Sequence, residues 1–514
     1  MSTRQTNAGG YLLNERPLER QIVAIVGAGT MGAGIAQVAA AAGHPVLLLD
    51  ARGGAAAEAC ARIAAVLEGL VAKGKMAAAD SAALLARITP VEHLRQLRDA
   101  ALVIEVIAEQ LQAKQALLRE LERHVPPQTI LASNTSSISI TALANGMTHP
   151  ERLVGMHFFN PVPLMKLVEV VSGAETAAGV AGLIYDTAKS WGKVPVHARS
   201  TPGFIVNRIA RPFYAEALSL LQEQAGTPSE IDQALRGAGF RMGPCELMDL
   251  IGHDVNYSVT VSVFEANYGD KRFVPSLVQK ALVDGGRLGR KAGKGFYQSE
   301  PLRRAAIAAA AMEMPPRLSG SGPLVARLAA HLERAGLHFE RDADGDWGGI
   351  AFGEIELHLT DGRTANQLAA QRGNPRLGVI DLPLLGAPDA CLALAFCDGV
   401  DAAEREWVQV ALAACRIQPL VLRDVPGLAV ARTVAMLVNE GADAVWQGVC
   451  DEQGADVAMK LGTNYPAGPF EWLQELGADY VAGLLDNLFH AYRSERYRVS
   501  PLIRKRYWTS RMPS

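Results

Sequence analysis

The stretch Gln21–Arg52, "QIVAIVGAGTMGAGIAQVAAAAGHPVLLLDAR", constrains the fold of this chain more than any other. Its apolar run Ile22–Val26 reads as a buried parallel strand. Gly27-x-Gly29-x-x-Gly32 follows at once, then an alanine-rich helix to Ala42 and a second strand, Pro45–Leu49, ending in Asp50. Each glycine has a mechanical purpose. Gly27 makes the tight turn, Gly29 lets the backbone approach a pyrophosphate, and Gly32 lets helix and strand pack closely. The first helical residues, Thr30 and Met31, then offer unpaired N–H groups and a positive dipole end to that phosphate. Asp50, eighteen residues past Gly32, is placed to accept hydrogen bonds from an adenosine ribose and to repel a 2′-phosphate. NAD is therefore expected over NADP, with Arg52 as a partial offset to the repulsion. FAD uses the same turn, but nothing else in the chain suggests a flavin.

Two later stretches, "AALVIEVIAEQLQAK" (100–114) and "QTILASNTSSISI" (128–140), each read as a buried strand running into a polar loop. In an open parallel sheet, ligands lie outside the carboxyl ends of the strands. Glu109, Lys114 and Ser133–Ser137 thus fall where the nicotinamide half of a cofactor would lie. Taken alone, "SNTSS" reads equally well as a helix N-cap or a turn.

The segment "MHFFNPVPLMKLVEVV" (156–171) sets His157 and Glu169 twelve positions apart, with Pro161 and Pro163 between them. Lys166–Val171 alternates as a half-buried strand does, which puts Glu169 on the side of Leu167 and Val171. A carboxylate among branched aliphatics is costly unless something pairs with it. A chain that folds back around Pro163 would bring His157 and Glu169 opposite each other on antiparallel strands.

Together "VGAGTMGAGIAQVAA", "LASNTSSISIT", "GMHFFNPVPLMKLVEVV", "TPGFIVNRI" and "GRLGRKAGKGFY" resemble the L-3-hydroxyacyl-CoA dehydrogenases of β-oxidation, in the family's order across residues 20–298. The resemblance implies oxidation of the 3-hydroxyl of an acyl-CoA with hydride passing to NAD. It implies that His157 is the base and that Glu169 holds it. Histidine is the side chain best suited to take such a proton near neutral pH, and a carboxylate on its far nitrogen fixes the tautomer. Ser136 resembles the family serine that hydrogen-bonds the substrate oxygen beside the nicotinamide, and Asn207 the asparagine that contacts substrate from the second domain. Asn160, Glu109 and Lys114 match cofactor-side positions, and Lys291 resembles a lysine that reaches back to the nucleotide. Lys73 matches a lysine that meets CoA phosphates, although a serine often found upstream of it is Val66 here. By itself, Lys73 reads as an ordinary solvated helix residue.

The family pattern ends near residue 298, and self-comparison accounts for much of the remainder. "TPGFIVNRIARPFYAEALSLLQE" resembles "VPGLAVARTVAMLVNEGADAVWQ" (425–447), and "GFRMGPCELMDLIGHD" resembles "GTNYPAGPFEWLQELGAD" (462–479). Asn207 falls opposite Ala431, and nothing like HFFNP or SNTSS occurs after residue 300. Fainter still, "GSGPLVARLAAHLERAGLHFERDAD" (320–344) lies on the glycine turn without a gap, but Val325 replaces Gly32 and Pro315-Pro316 are expected to abolish the preceding strand. The expected layout is a disordered lead-in (1–19), an α/β Rossmann-type NAD-binding domain (20–200) and an all-α helical substrate and dimerisation domain (201–298). A linker (299–318), a degenerate Rossmann-like fragment without a dinucleotide site (319–424) and a second all-α helical domain (425–514) follow. In the family, the helical domain is where single-copy subunits dimerise. The duplication therefore suggests an intrachain pseudo-dimer, with a homodimer of such chains also open.

A formal charge of −3 over 514 residues gives no general pull toward nucleic acid or anionic lipid. No stretch reaches the ~18 uninterrupted apolar residues of a membrane helix. Six scattered cysteines with no Cys-x-x-Cys pair suggest a reducing, cytoplasmic setting, and no metal site is expected. Two other readings stay open. One is an NAD-linked dehydrogenase of a free 3-hydroxy acid, and the other is a non-catalytic NAD-binding protein. Acyl specificity does not follow from the sequence, with 3-hydroxybutyryl-CoA and the 3-hydroxyadipyl-CoA of aromatic (phenylacetate) catabolism both plausible.

Overall fold

A computed structural model describes residues 18–298, 306–308, 314–385 and 391–512. The lead-in expected over 1–19 falls outside the described residues as far as 17, as do 299–305 and 309–313 of the expected linker. The chain divides into two compact units, Met1–Asn207 with Gly448–Gly462, and Arg208–Gln447 with Thr463–Ser514.

The first unit is built on an eight-stranded sheet: β1 (Val23–Val26), β2 (Val46–Leu49), β3 (Ile88–Val91), β4 (Leu102–Glu105), β5 (Ile130–Ser133), β6 (Leu153–Phe158), β7 (Leu167–Ser172) and β8 (Val194–Arg199). Their order is β3-β2-β1-β4-β5-β6-β7-β8. The first six are parallel, in the doubly wound arrangement in which the strand order reverses beside β1. β1 and β4 are buried at every position, as strands covered on both faces must be. Helices α1 (Thr30–Ala41) and α2 (Ala55–Ala72) pack on the sheet, with Ile35, Ala36 and Ala39 inside the same core as Val23 and Ile25. Beyond β6 the chain turns back. β7 runs antiparallel to β6, with His157 directly opposite Glu169, and β8 is parallel to β7. The short helix α3 (Val206–Ile209) follows.

The second unit holds helices α4 (Arg211–Gln222) and α5 (Pro228–Gly237) of the first helical copy. It also holds a seven-stranded sheet: β9 (Arg317–Ser319), β10 (Glu340–Asp342), β11 (Gly349–Phe352), β12 (Ile355–Leu359), β13 (Leu377–Ile380), β14 (Cys391–Phe396) and β15 (Gln418–Val421). The order is β10-β9-β11-β12-β13-β14-β15. The strand expected to be lost is therefore kept as β9. The two prolines stand before its first residue, where they remove no ladder donor, and Pro316 still offers its carbonyl to the Glu340 N–H at 2.9 Å. β9, the glycine turn, helix α6 (Pro323–Arg334) and β10 form a shortened βαβ unit with β9 and β10 parallel.

Helix α7 (Val430–Trp446), the second copy of the helix that begins at α3, is buried from Val430 to Ala444 and packs along α4. Two ion pairs cross this contact reciprocally. Arg208 donates to Glu440 at 2.6 Å, and Arg432 donates to Glu216 at 2.6 Å, with all four side chains at most 5% exposed. Burial alone would raise the Glu216 carboxyl, but the guanidinium groups of Arg496 and Arg432 hold it below its usual range. Helix α8 (Glu452–Thr463) belongs, as far as Gly462, to the first unit.

Candidate active site

The glycine turn folds as its spacing demands. Gly27 has φ +115°, and a Cβ there would stand 2.5 Å from the Val106 carbonyl oxygen. At Gly32 a Cβ would stand 1.8 Å from the Gly27 oxygen, so helix and strand approach as only glycine allows. Gly29, the residue capping α1, has open space before it and no side-chain cap, which leaves the first N–H groups of α1 available to a phosphate. Asp50, just past β2, accepts the Ala28 N–H at 2.7 Å and the Arg52 N–H at 2.9 Å. The Arg52 guanidinium is engaged instead by Glu58, so it does not neutralise Asp50 directly. These features fit a dinucleotide without a 2′-phosphate.

A cleft of about 570 Å³ opens outside the carboxyl ends of β1, β4, β5 and β6. Its wall brings together Gly29, Thr30, Met31, Glu109, Lys114, Ser136, His157, Asn160 and Asn207, residues contributed by five separate stretches of sequence. Asp50 and Lys73 lie outside this wall. Lys73 is exposed at the end of α2, and Val66 on the same helix is 57% exposed. Lys291 belongs to the second unit, where it pairs with Asp254 at 2.6 Å.

His157 lines the cleft, and Glu169 is buried behind it. The His157 Nδ1–H is donated to Glu169 Oε2 at 2.6 Å, which leaves Nε2 as the ring's acceptor. The ring lies between aromatic neighbours, 4.5 Å from Phe159 and 6.0 Å from Phe204 between centroids. Glu169 is completely buried, and its other oxygen accepts the N–H groups of Ile205 at 3.0 Å and Val206 at 2.9 Å. Three donors thus satisfy one carboxylate inside an aliphatic strand pair. Asn207, the next residue, donates to the Ser136 carbonyl at 3.4 Å, which ties α3 to the serine loop.

Glu109 organises that loop. Its Oε1 accepts from Thr135 Oγ1 at 2.6 Å, Ser136 N at 3.0 Å and Ser137 N at 3.1 Å. Burial would raise its carboxyl, yet the Thr135 hydrogen bond and the Lys114 charge hold it below its ordinary value. Lys114 is not the free cofactor-side cation that its position suggests. It is 1% exposed and locked to Glu105 at 2.6 Å, with Glu109 at 3.3 Å. Glu105 was not singled out from the sequence, because it ends an apolar strand that gives no sign of its partners. It also accepts from Ser133 Oγ at 2.6 Å and Ile107 N at 2.7 Å. Within Ser133–Ser137, the Asn134 side-chain oxygen accepts the Phe158 N–H at 2.8 Å.

In the second unit, β13, β14 and β15 repeat the β6–β7–β8 arrangement of one antiparallel and one parallel pairing. At the corresponding register, Asp381 stands for His157 and Ala393 for Glu169. Asp381 accepts the N–H groups of Ala429, Val430 and Ala431 at 2.7–2.9 Å, the counterparts of those that Glu169 engages at Ile205 and Val206. Burial raises its carboxyl to about 6 against those hydrogen bonds. The anchoring function of the dyad persists there without the imidazole.

Comparison with known proteins bears on the fold and its duplication. The family model described as "3-hydroxyacyl-CoA dehydrogenase, NAD binding domain" matches residues 22–201. The corresponding C-terminal domain model matches 203–299 and again 427–513, and a "3-hydroxybutyryl-CoA dehydrogenase reduced Rossmann-fold domain" matches 357–426. The chain is 45% identical over 487 residues to a 3-hydroxyadipyl-CoA dehydrogenase of Escherichia coli, covering 95% of this chain and 97% of that one. It is 39% identical over 276 residues to a 3-hydroxybutyryl-CoA dehydrogenase of Clostridioides difficile, covering 54% of this chain and 98% of the relative. Among solved structures, a 3-hydroxybutyryl-CoA dehydrogenase of Escherichia coli superposes with a TM-score of 0.87 at 43% identity, covering 96% of this chain and 99% of that one.

Proposed function

The chain belongs to the 3-hydroxyacyl-CoA dehydrogenase family, and from that premise we propose that it oxidises an L-3-hydroxyacyl-CoA to the 3-oxoacyl-CoA at a single site centred on His157 and Glu169. The observation that carries the reading is the 2.6 Å contact between His157 Nδ1 and a fully buried Glu169, at the wall of a cleft that begins at the glycine turn. NAD, when bound, supplies the hydride acceptor. Everything else falls to the chain. Hydride leaves the carbinol carbon as the hydroxyl proton departs, and His157 Nε2 takes that proton. Glu169 keeps the tautomer and stabilises the imidazolium that forms. Ser136 and Asn207 position the reacting oxygen. Gly27, Gly29, Thr30, Met31, Gly32 and Asp50 hold the nucleotide half of NAD. Glu109 shapes the loop beside the nicotinamide, Lys114 holds Glu105 and Glu109 in place behind it, and Asn160 completes the first unit's cofactor set. Lys73 meets the phosphates of coenzyme A.

The acyl group is that of one of the full-length relatives, a 3-hydroxyadipyl-CoA and a 3-hydroxybutyryl-CoA dehydrogenase. A panel of 3-oxoacyl-CoA substrates with NADH ranks the two. The same assay separates thioester from free acid. Acetoacetyl-CoA is expected to turn over with a kcat/KM at least roughly a hundredfold above that of free acetoacetate, because binding energy from the remote coenzyme is spent in the transition state. Equal rates would favour a dehydrogenase of free 3-hydroxy acids.

No helix among the described residues is long and apolar enough to cross a membrane. None of the six cysteines, all among the described residues, is in a disulfide, which supports a reducing, cytoplasmic setting. The reciprocal Arg208–Glu440 and Arg432–Glu216 pairs support an intrachain pseudo-dimer of the helical copies, with the layout 20–200, 201–298, 319–424 and 425–514 for the successive domains.

A further inference from the structure

We propose that helix α8, although it comes from the copy that lacks the dyad, is a positioning element of the one active site and acts through Gly462. The inference rests on His157 and Glu169 being that site. Gly454, Ala455, Ala458 and Met459 are buried on α8, and Gly454, Ala458 and Gly462 recur every four residues, giving the helix a face of small residues that permits close approach.

At the end of that face, a Cβ added to Gly462 would lie 2.8 Å from Leu167 Cδ2 and 3.0 Å from Val206 Cγ2. These two neighbours bear on the same carboxylate. Leu167 is on β7, two residues before Glu169 and on its side of the strand. Val206 donates its N–H to Glu169 Oε1 at 2.9 Å. The segment before α8 is fixed to the end of β8, where the Arg199 N–H reaches the Val449 carbonyl at 2.8 Å. Helix α8 therefore braces both the strand that carries Glu169 and the turn that holds its outer oxygen.

The second unit repeats the contact. Gly237 of α5 lies against Cys391 at the start of β14, and the Arg423 N–H reaches the Ala225 carbonyl at 2.8 Å. There the strand carries Ala393 in place of Glu169, so the brace has no acid to aim. This makes Gly237 a built-in control for helix-on-sheet packing in general.

The test is steady-state kinetics on the full chain with acetoacetyl-CoA and NADH. Gly462→Val is expected to lower kcat about tenfold or more while KM and the NADH Kd stay within about twofold, since a small misplacement of a catalytic group costs rate more than binding. Adding Leu167→Ala, which opens the space the valine fills, is expected to return most of the lost kcat. Gly237→Ala is expected to lower the melting temperature without changing kcat. If valine blocks folding, Gly462→Ala carries the same prediction at about threefold, because its methyl meets the movable end of Leu167. A folded Gly462 variant with unchanged kcat, loss that Leu167→Ala does not restore, or an equal kcat loss in Gly237→Ala would overturn the inference. A wild-type chain inactive on every 3-oxoacyl-CoA would instead sink the dyad reading, and the wild-type assay alone shows which has failed.

Discussion

Glu169 does two jobs with two oxygens: one orients His157, and the other pins the entrance of α3 through Ile205 and Val206. An amide cannot do both, because its NH2 must face either the imidazole or two N–H donors. Glu169→Gln is therefore expected to cut kcat by about 10²–10⁴ through the wrong histidine tautomer, with the NADH Kd, read by fluorescence titration, unchanged. Equal loss of both would show that the residue serves folding alone. Glu109 permits a pH prediction. Its folded-state pKa is depressed, so its hold on Thr135, Ser136 and Ser137 is complete above the ordinary carboxylate pKa and is lost as pH falls through the lower folded value. NADH affinity should weaken over that acidic window, and Glu109→Gln should weaken it at neutral pH and flatten the dependence. The pairing of His157 with Glu169 was legible in the sequence because a period of two puts an otherwise costly acid on an aliphatic face. The Lys114–Glu105–Ser133 network was not, since a lysine just past a strand looks the same whether it faces solvent or a buried carboxylate.

Helices and strands show the same limit at the next scale. The glycine turn and its βαβ unit could be read because φ, close packing and phosphate access each demand glycine at a fixed place. β9 could not, because a proline pair looks like a strand breaker until it is seen to stand just outside the ladder. The replacement of His157 by Asp381 was equally hidden, for only strand register reveals that Asp381 takes the place of the histidine and some of the contacts of the glutamate. Between helices, the reciprocal ion pairs that join α7 to α3 and α4 carry a stability prediction. Glu216 receives both Arg432 and Arg496, and Glu440 receives both Arg208 and Arg272. Removing one arginine leaves a buried carboxylate with its charge only partly matched. Arg432→Ala is expected to destabilise by about 3–5 kcal/mol in chemical denaturation, and exchanging Arg432 and Glu216 together for leucine and methionine is expected to recover only part of that loss, because Arg496 then lacks Glu216. A double-mutant cycle on Arg432 and Glu216 separates the pair's coupling from the cost of orphaning either charge.

For the whole chain, these contacts decide what truncation does. A fragment ending at 314 keeps the glycine turn, the cleft wall and the dyad, and it matches the length over which single-copy relatives align. It loses α7, which covers α4 and neutralises Arg208, and it loses α8, which braces Leu167 and Val206. Glu216 would retain no arginine partner from the second half, and the apolar face of α4 would be left uncovered. Deleting residues 315–514 is therefore expected to give an insoluble or self-associating product, measured by size-exclusion chromatography with light scattering. Self-association is the more informative outcome. Two fragments could then exchange α4 faces, but the position of Glu440 would be taken by Glu216 of the other fragment, which supplies Arg208 with a carboxylate eight residues from its own arginine as in the intact repeat. Such a dimer should recover part of the activity in proportion to its concentration. A stable, active monomer would show instead that neither α7 nor α8 is needed by the catalytic half, and would count against the pseudo-dimer and the brace together.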